Sequence, residues 1–205
     1  MRRLPLITEQ ALFEIRNKRT AIAEDFHTQL TADETQLSCR KGCSHCCHHP
    51  VFISLFEGLL LYQWLKKEGL WSSGLKKELN RVSHLVVGLP VETWMAADIA
   101  CPLLKDDLCI AYKGRPFVCR TTYSSGVPDQ CHPHRFGTGT AIVPRMDELR
   151  EFQDLEKQQM QKHKLAYKTA PLPLAVLIGE RLAKGDLEVE DSWGAVLQEY
   201  LKAWL

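Results

Sequence analysis

Between Cys39 and Cys47 the chain carries four cysteines in nine residues: Cys39, Cys43, Cys46 and Cys47. His45 lies inside the run, and His48 and His49 follow it directly. The run reads C-x3-C-x2-C-C-H-H. No amphipathic helix or packed strand needs thiols so close together. A soft metal ion or an iron–sulfur cluster does, because thiolates bind such centres far better than carboxylates or amides. Four further cysteines lie downstream, Cys101, Cys109, Cys119 and Cys131. Eight thiols suit two four-thiolate zinc sites, or one four-iron cluster with ligands to spare.

Spacing narrows the chemistry. A loop or a single turn can converge Cys39, Cys43 and Cys46. Cys47 is harder to include, because neighbouring side chains diverge in extended backbone. It bridges, serves a second centre, or turns in through a tight local conformation. Zinc sites usually show paired C-x2-C knuckles, and this chain has one such spacing. Iron–sulfur proteins tolerate the wide downstream spacings, which inclines the reading towards iron–sulfur and keeps zinc open. Cys39, Cys43 and Cys46 also have the C-x3-C-x2-C spacing of radical-SAM enzymes, but the alternating strand–helix pattern of such a barrel is missing. Among His45, His48, His49, His132 and His134, hydrogen bonding around the centre is the expected role, with His48 the best alternative ligand. Arg115 and Arg120 flank Cys119. Several thiolates on one centre leave excess negative charge, so these guanidinium groups are assigned to cofactor binding as its counter-charge.

The rest of the chain must position those groups. At 205 residues and 45% hydrophobic content it builds a core without disulfides. A net charge of +1 gives no field for nucleic acid or an anionic membrane. The N-terminus lacks the apolar region of a signal peptide, and no run approaches a membrane span. A cytoplasmic protein is expected, in which eight cysteines serve as ligands rather than disulfides.

Leu12, Ile15, Ile22, Phe26 and Leu30 recur at helical spacing over residues 8–31, with Arg16, Lys18, Arg19 and Glu24 off the stripe. The cysteine loop, 35–51, runs into a capping box, Ser54-Leu55-Phe56-Glu57. An apolar helix follows and stops near Gly69. Leu75, Leu79, Val82 and Val86 mark another helix, closed by Gly88-Leu89-Pro90. From Cys101 to about Gly139 periodicity is lost; an irregular loop holding four cysteines is expected there, with Asp106-Asp107 a turn. Residues 145–165 read as a polar, solvated helix with a sparse apolar edge of Met146, Leu149, Phe152 and Leu155. A helix through Lys184, capped by Gly185, and a last helix from Asp191 complete the chain. The expected fold is mainly α: an irregular, metal-stabilised helical domain with two cysteine-bearing loops and few or no strands. The expected division is a metal-binding domain over 1–140 and a helical extension packed on it over 141–205.

The segments CRKGCSHCC (39–47) and CPLLKDDLCIAYKGRPFVCR (101–120) together resemble the YkgJ-type cysteine-cluster family of zinc- or iron-chelating domains. Its signature looks like C-x2/3-C-x2-C-C, then C-P-x-L, C-x-I-Y and R-P-x-x-C-R, and the resemblance covers residues of about 39–124. Carried over by match, the family cysteines are Cys39, Cys43, Cys46, Cys47, Cys101, Cys109 and Cys119; Arg115, Pro116 and Arg120 match the R-P and C-R elements. Ala111 stands where the family has Ile, and Cys131 lies outside the signature. The family includes flagellin lysine N-methylase, but no Gly-rich strand-to-helix turn for S-adenosylmethionine is visible here. The leading reading is a metal-binding protein whose thiolates hold an iron–sulfur cluster or zinc. The alternatives are a cluster-dependent enzyme (a protein-modifying methyltransferase or redox catalyst) and a zinc-stabilised adaptor that meets a protein partner through the 145–165 helix.

Overall fold

The first apolar stripe forms as its spacing predicts: α1 (Glu9–Ala32) buries Leu12, Ile15, Ile22, Phe26 and Leu30. This computed structural model describes residues 8–32, 37–40, 42–125, 127–131, 140–143, 146–162 and 169–186. Arg19, expected off the stripe, belongs to it. It lies four residues after Ile15 and three before Ile22, so the helix turns it inward. It is 5% exposed, with its guanidinium 3.5 Å from the Glu57 carboxylate.

The strand β1 (Phe52–Ser54) leads straight into α2 (Leu55–Lys67). The Ser54 hydroxyl accepts from the Glu57 N–H at 3.2 Å, which is half of the expected capping box. The other half does not form. The Glu57 carboxylate accepts instead from the Phe117 N–H at 2.6 Å and faces Arg19. A buried carboxylate needs donors, and the first amide of a later helix is an orphan donor within reach. Residues Leu55 through Tyr62 are all buried, as befits a helix apolar on every side.

Next, α3 (Ser73–Val86) starts at Ser72, whose hydroxyl accepts from the Leu75 N–H at 3.2 Å. Gly88, at φ +83°, turns the chain away. The short α4 (Val91–Ala96) lays Trp94 on Val82 and Val86.

The stretch from Cys101, expected to be irregular, holds elements too short to show a period. Strands β2 (Leu104–Lys105) and β3 (Leu108–Cys109) form a hairpin with Leu104 opposite Cys109. Its two central residues, Asp106 and Asp107, have φ of +50° and +57°. Left-handed backbone at both positions is the type I′ turn that short hairpins favour. Then come α5 (Phe117–Thr121) and β4 (Tyr123–Ser125), the latter paired antiparallel with β5 (Thr140–Ile142).

The polar helix, α6 (Met146–Lys162), is not solvated all round. It packs on α1 and buries Phe152, Glu156, Gln159 and Met160. Its inward polar groups find partners: Glu156 accepts from the Ser54 hydroxyl, and the Gln159 amide donates to Glu14 at 2.6 Å. Phe152 stacks on Phe117 with ring centres 4.6 Å apart.

Strand β6 (Thr169–Pro171) pairs antiparallel with β1, and α7 (Leu172–Lys184) follows at once, ending at Gly185 in left-handed backbone. Helices α2 and α7 cross with their backbones nearly touching. A Cβ at Gly58 would meet the Ala175 carbonyl oxygen at 2.2 Å, and one at Gly179 would meet the Gly58 carbonyl carbon at 2.6 Å.

Helix accounts for 66% of the described residues, and the strands are two or three residues long, so the mainly α class holds. No described helix is long and apolar enough to cross a membrane. The helix expected from Asp191, and His132 and His134, lie outside the described residues.

Candidate metal centre

The first cluster is pinned at both ends. Before it, the Ser38 N–H donates to the Ser124 carbonyl at 2.7 Å and Leu37 bridges Ser125, so β4 holds the approach to Cys39. After it, Leu172 N–H donates to the Val51 carbonyl at 2.8 Å. Between these anchors, Gly42 takes φ +87°, and His45–His48 form a 3₁₀ turn. Cys47 N–H donates to the Ser44 carbonyl at 2.8 Å within it. Such a turn has three residues per revolution, so Cys46 and Cys47 leave the backbone about 120° apart. That is the tight local conformation that brings the fourth thiol in.

One backbone bond joins the two clusters: Cys101 N–H donates to the Cys47 carbonyl at 2.7 Å. Beside it His48 Nδ1 lies 2.8 Å from Asp98 Oδ1, and Asp98 sits in left-handed backbone at φ +49°. A carboxylate holding one imidazole nitrogen is the arrangement that fixes histidines around metal centres. The β2–β3 hairpin then carries Cys109 back. Gly114 lies against the Trp64 ring, where a Cβ would meet ring carbons at 2.4 Å. The chain can therefore hug α2 before α5 presents Cys119. The Glu57 carboxylate holds the first amide of α5 and so sets the position of Cys119 from α2. Cys131, at the end of the turn Pro128–Cys131, is tied in by its own carbonyl, which accepts from His49 Nε2 at 2.6 Å.

Glu57→Gln keeps an acceptor for Phe117 but removes the charge facing Arg19. It is expected to lower unfolding free energy by about 2 kcal/mol, the range for a hydrogen bond to a charged group. Urea unfolding of the two proteins checks this.

All eight cysteines are free thiols. Cys43, Cys46, Cys47, Cys101, Cys109 and Cys119 line one pocket of about 430 Å³. Cys39, Cys43, Cys46 and Cys119 line a neighbouring cleft of about 500 Å³. Cys43, Cys46 and Cys119 belong to both walls. Among the described residues no three His, Cys, Asp or Glu side chains are gathered closely enough to ligate one ion as they stand. The thiols ring a cavity rather than a point. As a donor set they fit a thiophilic centre: six sulfurs face one pocket whose other residues are mostly apolar.

Burial lifts most of these thiols above the ordinary cysteine range. It pushes Cys101 up to about 12 and raises Cys119 well above 9.0, with neighbouring thiols adding to both. Cys39, Cys43 and Cys109 also rise, again chiefly by burial. Cys46 goes the other way, to about 7. A hydrogen bond from the Cys47 thiol is the main cause, and the charges of Arg115 and His48 add to it. Cys47 rises in return because its proton is held by Cys46. Cys46 is therefore the thiol most ionised near neutral pH, and thiolate is the ligating form.

These values give a pH dependence for the metal-free protein. The folded state holds the Cys101 proton to about 12, whereas the unfolded chain releases it near 9.0. Stability from this thiol is present below pH 9 and lost as pH rises towards 12. In chelator, the melting temperature is expected to fall from about pH 9 to about pH 11, and less steeply in Cys101→Ser.

The two arginines expected beside the centre separate. Arg115 lines both pocket and cleft, lies over the Tyr112 ring at 3.7 Å, and lowers the Cys46 and Cys109 values. Arg120 lines the cleft alone and donates to the Thr20 hydroxyl at 3.2 Å. Several contributors escape sequence reading. Asp98 carries no local signal for its partner, whereas His49 makes the kind of hydrogen bond expected of the histidines around the centre. Tyr112 and Arg40, another cleft residue, look like ordinary surface side chains.

A cysteine-ringed pocket closed by two chain segments defines a metal-chelating class of small helical domain. The CxxCxxCC family model, described as "Putative zinc- or iron-chelating domain", matches residues 38–158. The chain belongs to that family. The matched span reaches past Arg120 to include Cys131 and most of α6. Neither a curated protein nor a solved structure matches the chain.

Proposed function

We propose that the chain is a cytoplasmic metal-binding protein whose clustered thiolates hold an iron–sulfur cluster or zinc, with iron–sulfur the leading form. The observation that carries this is the ring of six thiols around one pocket of about 430 Å³. Donors spread around a cavity suit a cluster of several atoms better than one tetrahedral ion. Cys43, Cys46, Cys47, Cys101, Cys109 and Cys119 are the inner donors; Cys39 joins them from the cleft, and Cys131 completes the set. Arg115 offsets thiolate charge, with Arg120 behind it. In this reading 1–140 is the metal-binding domain and 141–205 the helical extension packed on it. A bound cluster would supply electron transfer or Lewis acidity; zinc would supply a cross-link between the two cysteine segments.

The test is anaerobic purification of the untagged protein, followed by elemental and sulfide analysis and absorbance in the iron–sulfur charge-transfer bands. Iron with matching sulfide supports a cluster. Zinc without visible absorbance supports the zinc form. Substoichiometric metal in every preparation would overturn the reading.

A second reading, a cluster-dependent enzyme such as a protein-modifying methyltransferase or redox catalyst, draws on the cleft of about 500 Å³ beside the thiols. That volume is in the range of small-molecule sites. Calorimetry with S-adenosylmethionine tests its methylase form. The adaptor reading loses much of its surface, since α6 spends one face on α1.

A further inference from the structure

We propose that the cleft beside the thiol pocket binds a small-molecule oxyanion, a phosphate or carboxylate group received by Arg120 and Arg40. This goes beyond the metal-binding reading, because the receiving groups are not thiols. A ligand so held would lie against the edge of the proposed centre, over Cys39, Cys46 and Cys119.

Charge is the first argument. Arg40, Arg115 and Arg120 line the cleft, with one carboxylate, Glu24, and the thiols of Cys39, Cys43, Cys46 and Cys119. Two nearby cations already have counter-charges. Arg115 acts on Cys46 and Cys109, and Arg19 faces Glu57 at 3.5 Å. Arg120 is placed differently. It is half-buried, and its side-chain hydrogen bond goes to a neutral hydroxyl, that of Thr20. A half-buried guanidinium with a neutral hydrogen-bond partner and an open cleft before it is a setting that receives an oxyanion. Its planar fork matches phosphate and carboxylate oxygens two at a time.

Shape is the second argument. The cleft holds about 500 Å³, within the range of metabolite-sized ligands. Two aromatic rings line it: those of His27 and Tyr123, stacked at 5.7 Å with 22° between their planes. Such a surface packs the body of a ligand while the arginines hold its charged end.

The experiment titrates the full chain, metal-loaded and chelator-treated, with inorganic pyrophosphate by calorimetry at fixed ionic strength. Citrate provides the carboxylate arm. Saturable binding of at least one probe, tighter than about 1 mM, is expected. Arg120→Gln is expected to weaken it about tenfold or more. Arg40→Gln, at an exposed position, should weaken it several-fold and keeps the test decisive if Arg120→Gln fails to fold. Arg81→Gln, on the exposed face of α3, should bind as the parent does. No saturable binding by either probe, or parental affinity in Arg40→Gln and in any folded Arg120→Gln, overturns the proposal. Metal analysis of the same samples separates the two readings: pyrophosphate binding without stoichiometric metal sinks the metal reading alone, and the reverse sinks this one alone.

Discussion

Cys46→Ser is expected to lower bound metal and thermal stability together, and by more than substitution of any other cysteine. Cys46 lines both the pocket and the cleft and is the thiol most ionised near neutral pH. Its electrostatic neighbours include Cys39, Cys43, Cys101, Cys109 and Cys119. Outer-shell partners of a metal are each worth about 10–100-fold in affinity, so loss of a shared ligand should exceed about a hundredfold. Because bound metal and fold are linked, the melting temperature should drop in the metal-loaded protein. Chelator should narrow that gap. Competition with a chromophoric chelator measures the affinity, and thermal melts with and without chelator measure the linkage. Unchanged metal content and stability would remove Cys46 from the ligand set.

The second large effect is expected at the crossing of α2 and α7. Gly58→Ala improves helix propensity by about 1 kcal/mol, so a propensity argument predicts stabilisation. The crossing predicts the opposite. The new methyl would meet the Ala175 carbonyl oxygen at 2.2 Å, and that oxygen is backbone inside a helix. No rotamer relieves the contact, so the helices must separate, and both are buried along most of their length. A loss of about 4 kcal/mol or more is expected, among the largest single-substitution effects and much of a typical domain's stability. Gly179→Ala should behave likewise, since its methyl would meet the Gly58 backbone at 2.6 Å. Urea unfolding, or loss of soluble protein, reads the result. Stabilisation by either substitution would show that the helices are not in contact there.

Local patterns carried much of the fold. The α1 stripe, the Ser54 cap, the two-aspartate hairpin turn and the Gly185 stop each depend on residues within a few positions of one another, and each formed. Misjudged residues depend on partners far away. Arg19 looked solvated because its counter-charge, Glu57, lies on another helix. Glu57 looked like an ordinary cap because the amide it accepts from belongs to Phe117. Glu156 and Gln159 looked like surface because Ser54 and Glu14, which satisfy them, are over a hundred residues earlier. The short strands and α5 were illegible for another reason: two to five residues cannot display a period. In the candidate site the thiols announce themselves by type and spacing. The arrangement that gathers them rests on backbone bonds such as Cys101 to Cys47, which no side-chain identity encodes.

The pairing of β1 with β6 and of α2 with α7 has a consequence for how the protein is made. The first cysteines leave the ribosome early, but the elements that hold their far anchor end at Lys184. At about 5–20 residues per second, the wait is on the order of ten seconds. Throughout it the nascent chain presents unpositioned thiols and an uncovered apolar α2. The interval leaves the thiols of Cys39 to Cys47 open to oxidation and to competing ions before the fold can hold them in place.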